Sequence, residues 1–139
     1  MDPASVVETT FHVRYAETDQ MGVVHHSVYV IWFEEGRSAW LRARGTSYAE
    51  VEAGGHFFAV SEVHVRYLAP ARYDRAVTVR TWPSRLGSRG FTLEYEVVDT
   101  ESGQLLATGS TRHICLDREG RVTRIPGAWR KVLASVDRS

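Results

Sequence analysis

The segment Tyr15-Ala-Glu-Thr-Asp-Gln-Met-Gly-Val-Val-His-His-Ser-Val-Tyr29 gathers the densest set of chemistry-bearing residues in the chain. It lies between an alternating run, Thr10 to Tyr15, and an apolar run beginning at Val28, which places it between a strand and a helix. A carboxylate at Asp19 in such a loop is held near a helix N-terminus, whose outward N–H groups have no partner inside the helix and carry the positive end of its dipole. That end polarises a carbonyl or receives an oxyanion. Asp19 stands seven residues before the His26 N–H, and a reacting carbonyl carbon fits between such an acid and such a donor. An isolated Asp in a strand-to-helix loop is more often a turn or cap residue, so its neighbours have to decide its role.

The elements that must hold this loop are legible in the side-chain pattern. From Val28 to Arg44, residues Tyr29, Trp32, Phe33, Gly36, Ala39, Trp40 and Ala43 recur at helical spacing, and Ile31 and Leu41 widen the apolar face. Ser27 is placed to cap this helix and Gly45 to stop it. Its first half is apolar nearly all round, so other structure must wrap it. Thr46 to His56 reads as a short helical or looped connection. Phe57–Leu68, Ala76–Trp82, Phe91–Asp99 and Leu105–Leu116 are β-branched and aromatic runs, hence four more strands. Glu101-Ser102-Gly103 and Arg118-Glu119-Gly120 are turns of hairpin length and make neighbouring strands antiparallel. Gly109, inside the longest run, marks a bulge, and Pro126 to Ala134 forms a terminal helix docked by Trp129, Val132 and Leu133. The expected architecture is α+β: a five-stranded antiparallel sheet wrapped around one long central helix, as a single domain over residues 1–139. Edge strands left over from a one-helix core predict at least a dimer.

Composition narrows the function classes. With 17 Lys+Arg against 17 Asp+Glu the formal net charge is zero, which argues against nucleic acid as partner. Hydrophobic residues make up 43%, enough for a core without a metal or disulfide. Cys115 is the one cysteine, which favours a reducing compartment, the cytoplasm, and removes cysteine-based zinc sites. The start MDPASVVETT has no basic or apolar segment of a signal peptide, and no stretch approaches the ~20 apolar residues of a bilayer span. The chain therefore reads as soluble, not exported and not membrane-bound. His12, His56, His64 and His113 have no ligand-like spacing, and no metal site is expected.

Thr18-Asp19, Gly22-Val23-Val24, His26 and Tyr29, continuing through Phe33-Glu34 and Arg37, resemble the signature of the 4-hydroxybenzoyl-CoA thioesterase-like branch of the hotdog-fold thioesterases, which includes the YbgC-type acyl-CoA thioesterases. Val65-Arg66-Tyr67-Leu68-Ala69-Pro70-Ala71 resembles the strand and bend that follow the helix in that family, and the likeness in element order covers roughly residues 8 to 125. Two positions depart from the pattern: His25 stands where an aromatic is common, and Val28 where a polar residue often caps the helix, which shifts that duty to Ser27. The resemblance implies hydrolysis of an acyl-CoA thioester, with Asp19 as the catalytic carboxylate and the His26 backbone N–H as the carbonyl polariser. A carboxylate acting as base toward water or as nucleophile, plus one N–H donor, suffices for a thioester, with no metal or cofactor beyond the coenzyme A of the substrate. The alternative acid of the other hotdog branch, a Glu on the central helix after a His-Gly-Gly motif, lacks that motif here, which demotes Glu34 and Glu35.

The substrate-binding set follows from position and charge. Tyr15, Tyr29 and Trp32 are candidates for core and pocket wall, and His25 for the pocket lining. Neutrality conceals a basic stretch: residues 63 to 90 carry six arginines and one acid. Within it, Arg85 and Arg89 in Ser84-Arg-Leu-Gly-Ser-Arg-Gly90 offer guanidiniums and backbone N–H groups to coenzyme A phosphates. A homodimer or a homotetramer built as a dimer of dimers is expected. Two other readings stand beside hydrolysis: a hydratase or dehydratase on acyl thioesters, using His25 or His26 with Asp19, and a non-catalytic acyl-CoA-binding module. The acyl group, and the choice between coenzyme A and an acyl carrier protein, are open at this level.

Overall fold

The computed structural model describes residues 6–134. Residues 1–5 and 135–139 of the expected single domain lie outside the described residues, as does the start of the MDPASVVETT segment. Strands β1 (Val7–His12), β2 (Phe57–Tyr67), β3 (Ala76–Leu86), β4 (Gly90–Asp99) and β5 (Leu105–Leu116) form one sheet in the order β1-β3-β4-β5-β2. Every pairing is antiparallel. Helices α1 (Val28–Ala43), α2 (Tyr48–Ala53) and α3 (Gly127–Leu133) complete the fold. This is the hotdog arrangement expected from the sequence. Among the described residues no helix is long and apolar enough to cross a membrane.

Several strand boundaries differ from expectation, β1 starting already at Val7, β2 ending at Tyr67 and β4 starting at Gly90, and two further ends have a visible cause. β1 ends at His12 rather than Tyr15, because the Glu17 carboxylate accepts the Arg14 N–H at 2.7 Å and turns Tyr15–Glu17 into a 3₁₀ turn. β3 continues past Trp82 to Leu86, the register shift between Pro83 and Arg85 letting the strand absorb a proline that has no N–H to give.

α1 lies across the sheet with Tyr29, Trp32, Phe33, Trp40 and Leu41 buried. They meet Val77 and Val79 of β3, Leu93, Tyr95 and Val97 of β4, and Ala107 and Cys115 of β5 in one core. Each large apolar side chain so covered stabilises the fold by about 1.5–3 kcal/mol. The Phe33 and Tyr95 rings stack at 4.3 Å. Gly109, expected at a bulge, sits in regular register opposite Val65 and Tyr95. A Cβ there would run into the Phe33 ring and the His64 carbonyl, so close approach of the helix is what requires the glycine. Gly36 plays the converse part on α1, where a Cβ would strike the Thr81 hydroxyl. Gly45 follows the helix at φ +81°, as a C-terminal stop. α3 docks with Leu133 buried and with Trp129 and Val132 packed against the core.

A chain of polar groups crosses this core. Arg37 donates to the Tyr95 hydroxyl at 3.4 Å, which lies 2.6 Å from the Thr111 hydroxyl, itself 2.7 Å from His113 Nε2. The His113 ring is fully buried and stacks on Phe91 at 4.7 Å. Burial, and secondarily the Arg37 charge, push its pKa down to about 3, so it is neutral at ordinary pH.

Candidate functional site at the mouth of the central helix

The loop between β1 and α1 is built as a small hairpin. The Asp19 N–H donates to the Val23 carbonyl at 2.9 Å, the Gly22 N–H to the Asp19 carbonyl at 3.0 Å, and Thr18 bridges Val24. Gly22 has φ +73°, a left-handed geometry that a glycine accepts without strain. The Asp19 side chain is exposed, and its Oδ1 accepts the N–H groups of Met21 at 2.8 Å and Val23 at 3.3 Å. Asp19 thus carries the turn with one oxygen, while Oδ2 has no hydrogen-bond partner among the described residues. A second backbone pairing anchors the hairpin: Val24 N–H donates to the Ala71 carbonyl and Tyr73 N–H to the Gly22 carbonyl.

Glu17 fastens the loop to the helix. Its buried carboxylate accepts the Arg14 N–H, the Arg14 guanidinium at 3.0 Å and the Trp32 indole N–H at 2.9 Å. Burial alone would raise its pKa, but the hydrogen bonds from Arg14 and Trp32 outweigh it and hold the carboxyl below its usual value.

The helix end is capped differently from expectation. Ser27 is already helical and makes no side-chain cap. His25 does the work instead: its Nδ1 accepts the Ser27 N–H at 3.2 Å and lies 2.8 Å from the Ser27 hydroxyl, while its carbonyl accepts the Val28 N–H at 3.0 Å. The reason is geometric, since an α-region Ser27 cannot fold its hydroxyl back over the first turn, whereas an imidazole two residues earlier reaches that amide. His25 N–H donates to Glu17 O at 3.0 Å. The His26 N–H, between these satisfied donors, has no partner among the described residues.

His26 borders a cleft of about 310 Å³ lined also by Val23, Val24, Tyr29, Tyr67, Leu68, Ala69 and Pro70. Tyr29 and Tyr67 meet edge to face at 5.1 Å in its wall, and the buried Tyr29 oxygen accepts the Ala71 N–H at 3.3 Å. Burial pushes the Tyr29 phenol above its usual pKa, so it stays protonated. The Tyr67 hydroxyl donates to the His26 carbonyl at 2.7 Å.

The sequence candidates therefore divide. Tyr29 and His26 line the cleft; Asp19 does not, but is paired through both backbone and side chain to Val23, which does. His25 is exposed beside it, its ring 4.2 Å from that of His26. Trp32 lies one layer behind, 1% exposed and 5.0 Å from the Tyr29 ring. Tyr15 lies on the surface, 76% exposed, against Tyr73 at 5.5 Å. Arg85 and Arg89 line a separate cleft of about 590 Å³ at the β3–β4 end of the sheet, joined there by Arg112. Sequence reasoning missed Arg112, Glu17 and Tyr67 as site residues. Tyr67 stood in the Val65–Ala71 motif, but its contact with His26 spans 41 positions and leaves no local signal. Among the described residues no three His, Cys, Asp or Glu side chains gather as a metal-ligating group.

Residues 13–134 match the model of the thioesterase-like superfamily. The chain belongs to that superfamily. It is 33% identical over 114 residues, 82% of each chain, to the putative acyl-CoA thioesterase YneP of Bacillus subtilis. It is 30% identical to the acyl-CoA thioester hydrolase YbgC of Escherichia coli over 76% of this chain and 78% of that one. Among solved structures, a DHNA-CoA thioesterase from Staphylococcus aureus superposes with TM-score 0.89 at 32% identity, covering 95% of this chain and 91% of the other. A hypothetical protein of Thermus thermophilus does so with TM-score 0.87 at 45% identity, covering 93% and 98%. These relatives place the hotdog sheet and its helix within a superfamily whose named members include an acyl-CoA thioester hydrolase and a DHNA-CoA thioesterase.

Proposed function

We propose that the protein hydrolyses an acyl-CoA thioester to the free acid and coenzyme A at the mouth of α1. The observation that carries this reading is the backbone of His26, a residue at the mouth of α1 that borders an apolar cleft whose wall is paired to Asp19, and whose N–H has no partner among the described residues. The thioester carbonyl oxygen takes that N–H, and negative charge developing on it is stabilised by the donor and the helix dipole. Asp19 has two compatible roles. As base it takes a proton from water while the water oxygen bonds the carbonyl carbon; the tetrahedral intermediate then expels the thiolate, which is protonated to the thiol. As nucleophile its oxygen bonds the carbon, the thiolate leaves, and water cleaves the resulting anhydride. Coenzyme A enters as part of the substrate and leaves as product, and the chemistry uses no separate cofactor or metal.

Arg85 and Arg89, with Arg112, are assigned to the phosphates of coenzyme A. Arg112 is shared with Glu62 at 3.3 Å, which leaves Arg85 and Arg89 the better pair. Tyr29 and His25 contribute to the acyl side, Trp32 supports Tyr29 from behind, and Tyr15 is a rim residue. A homodimer is the assigned state, with a homotetramer as a pair of such dimers: β2 is an eleven-residue edge strand exposing Phe57, Val60, Val63 and Tyr67, a surface that a second copy covers. The single cysteine favours the cytoplasm.

A thiol-release assay over short, medium, long and aromatic acyl-CoAs tests the reading. Release of free thiol with at least one class is expected. Conversion of an enoyl-CoA without thiol would make the protein a hydratase, and saturable binding without turnover would make it a binding module.

A further inference from the structure

Two carbonyls flank the backbone of His26, and each is held by a different part of the fold. The His25 carbonyl accepts the Val28 N–H at 3.0 Å, inside the first turn of α1. The His26 carbonyl accepts the Tyr67 hydroxyl at 2.7 Å, from the last residue of β2. Because peptide units are planar, holding both planes on either side of the His26 Cα fixes the direction in which its N–H points. The first restraint comes with the helix. The second is shared: the Ser27 N–H of that peptide donates to His25 Nδ1 at 3.2 Å, and its carbonyl is held by one side chain 41 positions away, a phenol that is itself aimed, its ring packing edge to face on Tyr29 at 5.1 Å and on His26 at 6.4 Å.

We infer that Tyr67 is a positioning residue, whose hydroxyl holds the His26–Ser27 peptide so that the preceding N–H is directed at the substrate carbonyl, while its ring forms the cleft wall. The inference rests on the proposed role of the His26 N–H. It divides the side chain into two separable parts, the ring acting on binding and the hydroxyl on turnover. Nothing in the reaction passes through the phenol, since its proton is committed to a backbone oxygen and the reacting donor belongs to the neighbouring peptide.

The test compares Tyr67→Phe and Tyr67→Leu with the parent enzyme on the best acyl-CoA of the thiol-release panel. Losing one preorganising hydrogen bond is expected to lower kcat of Tyr67→Phe about tenfold, with KM within about twofold and an unshifted pH profile, because Asp19 is untouched. Tyr67→Leu is expected to share the kcat loss and to raise KM as well. His26-Ser27 is the one His–Ser pair in the chain, so carbonyl-¹³C histidine with ¹⁵N serine isolates a single resonance, expected to move upfield in Tyr67→Phe. A resonance that stays put, or a kcat within twofold of the parent despite the move, overturns the inference while leaving thioester hydrolysis standing. A parent that releases no thiol from any acyl-CoA defeats both, and is seen before any variant is made.

Discussion

The Trp32 indole N–H lies 2.9 Å from the Glu17 carboxylate and donates to it, so the loop bearing Asp19 is tied to the second turn of α1 inside the core. The same carboxylate takes the Arg14 N–H and guanidinium. One buried acid therefore sets where strand β1 ends, where the loop begins and how the loop lies on the helix.

Glu17→Ala is expected to leave the indole N–H and the Arg14 amide without their acceptor, at a cost of about 1–3 kcal/mol for the buried donor. Urea denaturation should show a lower midpoint with an unchanged slope. A stability equal to the parent's would mean that the contact is not formed in solution.

Asp19→Asn keeps the turn, because the amide oxygen still accepts the Met21 and Val23 N–H groups. It removes the carboxylate, and thiol release is expected to fall by about 10³-fold or more, roughly 4 kcal/mol of barrier. Calorimetric binding of coenzyme A should be nearly intact. Unchanged hydrolysis across the acyl-CoA panel would falsify the assignment.

Arg85→Ala and Arg89→Ala are each expected to raise KM for acyl-CoA about tenfold, with kcat little altered and a weaker dependence on salt. The matched control is the same acyl group on a short thiol without phosphates, for which neither substitution should matter. Equal effects on both substrates would move the arginines from phosphate binding to structure.

Gly109→Ala forces a methyl group against the Phe33 ring and the His64 carbonyl. Overpacking of this kind costs about 1–3 kcal/mol, and thermal melting should register it. Phe33→Ala in the same background relieves the clash at the ring, so the double variant should be more stable than the sum of the two single losses; strict additivity would place the two residues apart.

Acid stability has two windows. His113 in the folded protein resists protonation down to about 3, whereas unfolded histidine titrates near its ordinary 6.5. Asp99, held at about 2 chiefly by the Arg75 guanidinium, with unfolded value 3.8, acts lower. In both cases the unfolded state binds the proton first, so stability is full above the unfolded value and is lost as pH falls toward the folded one. The melting temperature should start to drop below about pH 6.5, and His113→Gln should flatten that first segment while leaving the decline below about pH 4 in place. A variant with the same acid profile as the parent would exclude His113 as its source.

Much of this molecule was legible in its chain because the informative signals are local. The helix from Val28, the hairpin turn at Gly103 and the terminal helix carrying Trp129 and Leu133 each follow from residues a few positions apart. Where local reasoning went astray, a distant partner had intervened. Ser27 had the right chemistry for a cap, but His25 reaches its amide. Gly109 looked like a bulge, but the space its side chain would fill belongs to Phe33, 76 positions earlier.

The amino-acid order by itself determined the α+β element sequence, the loop that presents Asp19 ahead of a helix end, and the basic stretch that contains Arg85 and Arg89, since periodicity, turn chemistry and charge need no folding to be read. Tertiary structure decided that His26 borders the cleft at that helix end, that Tyr67 of the edge strand grips the His26 carbonyl, and that Arg112 joins the two arginines in one cleft. Those facts arise only once strand register and helix packing have brought remote residues within hydrogen-bond range, a long-range outcome that no short window of sequence encodes.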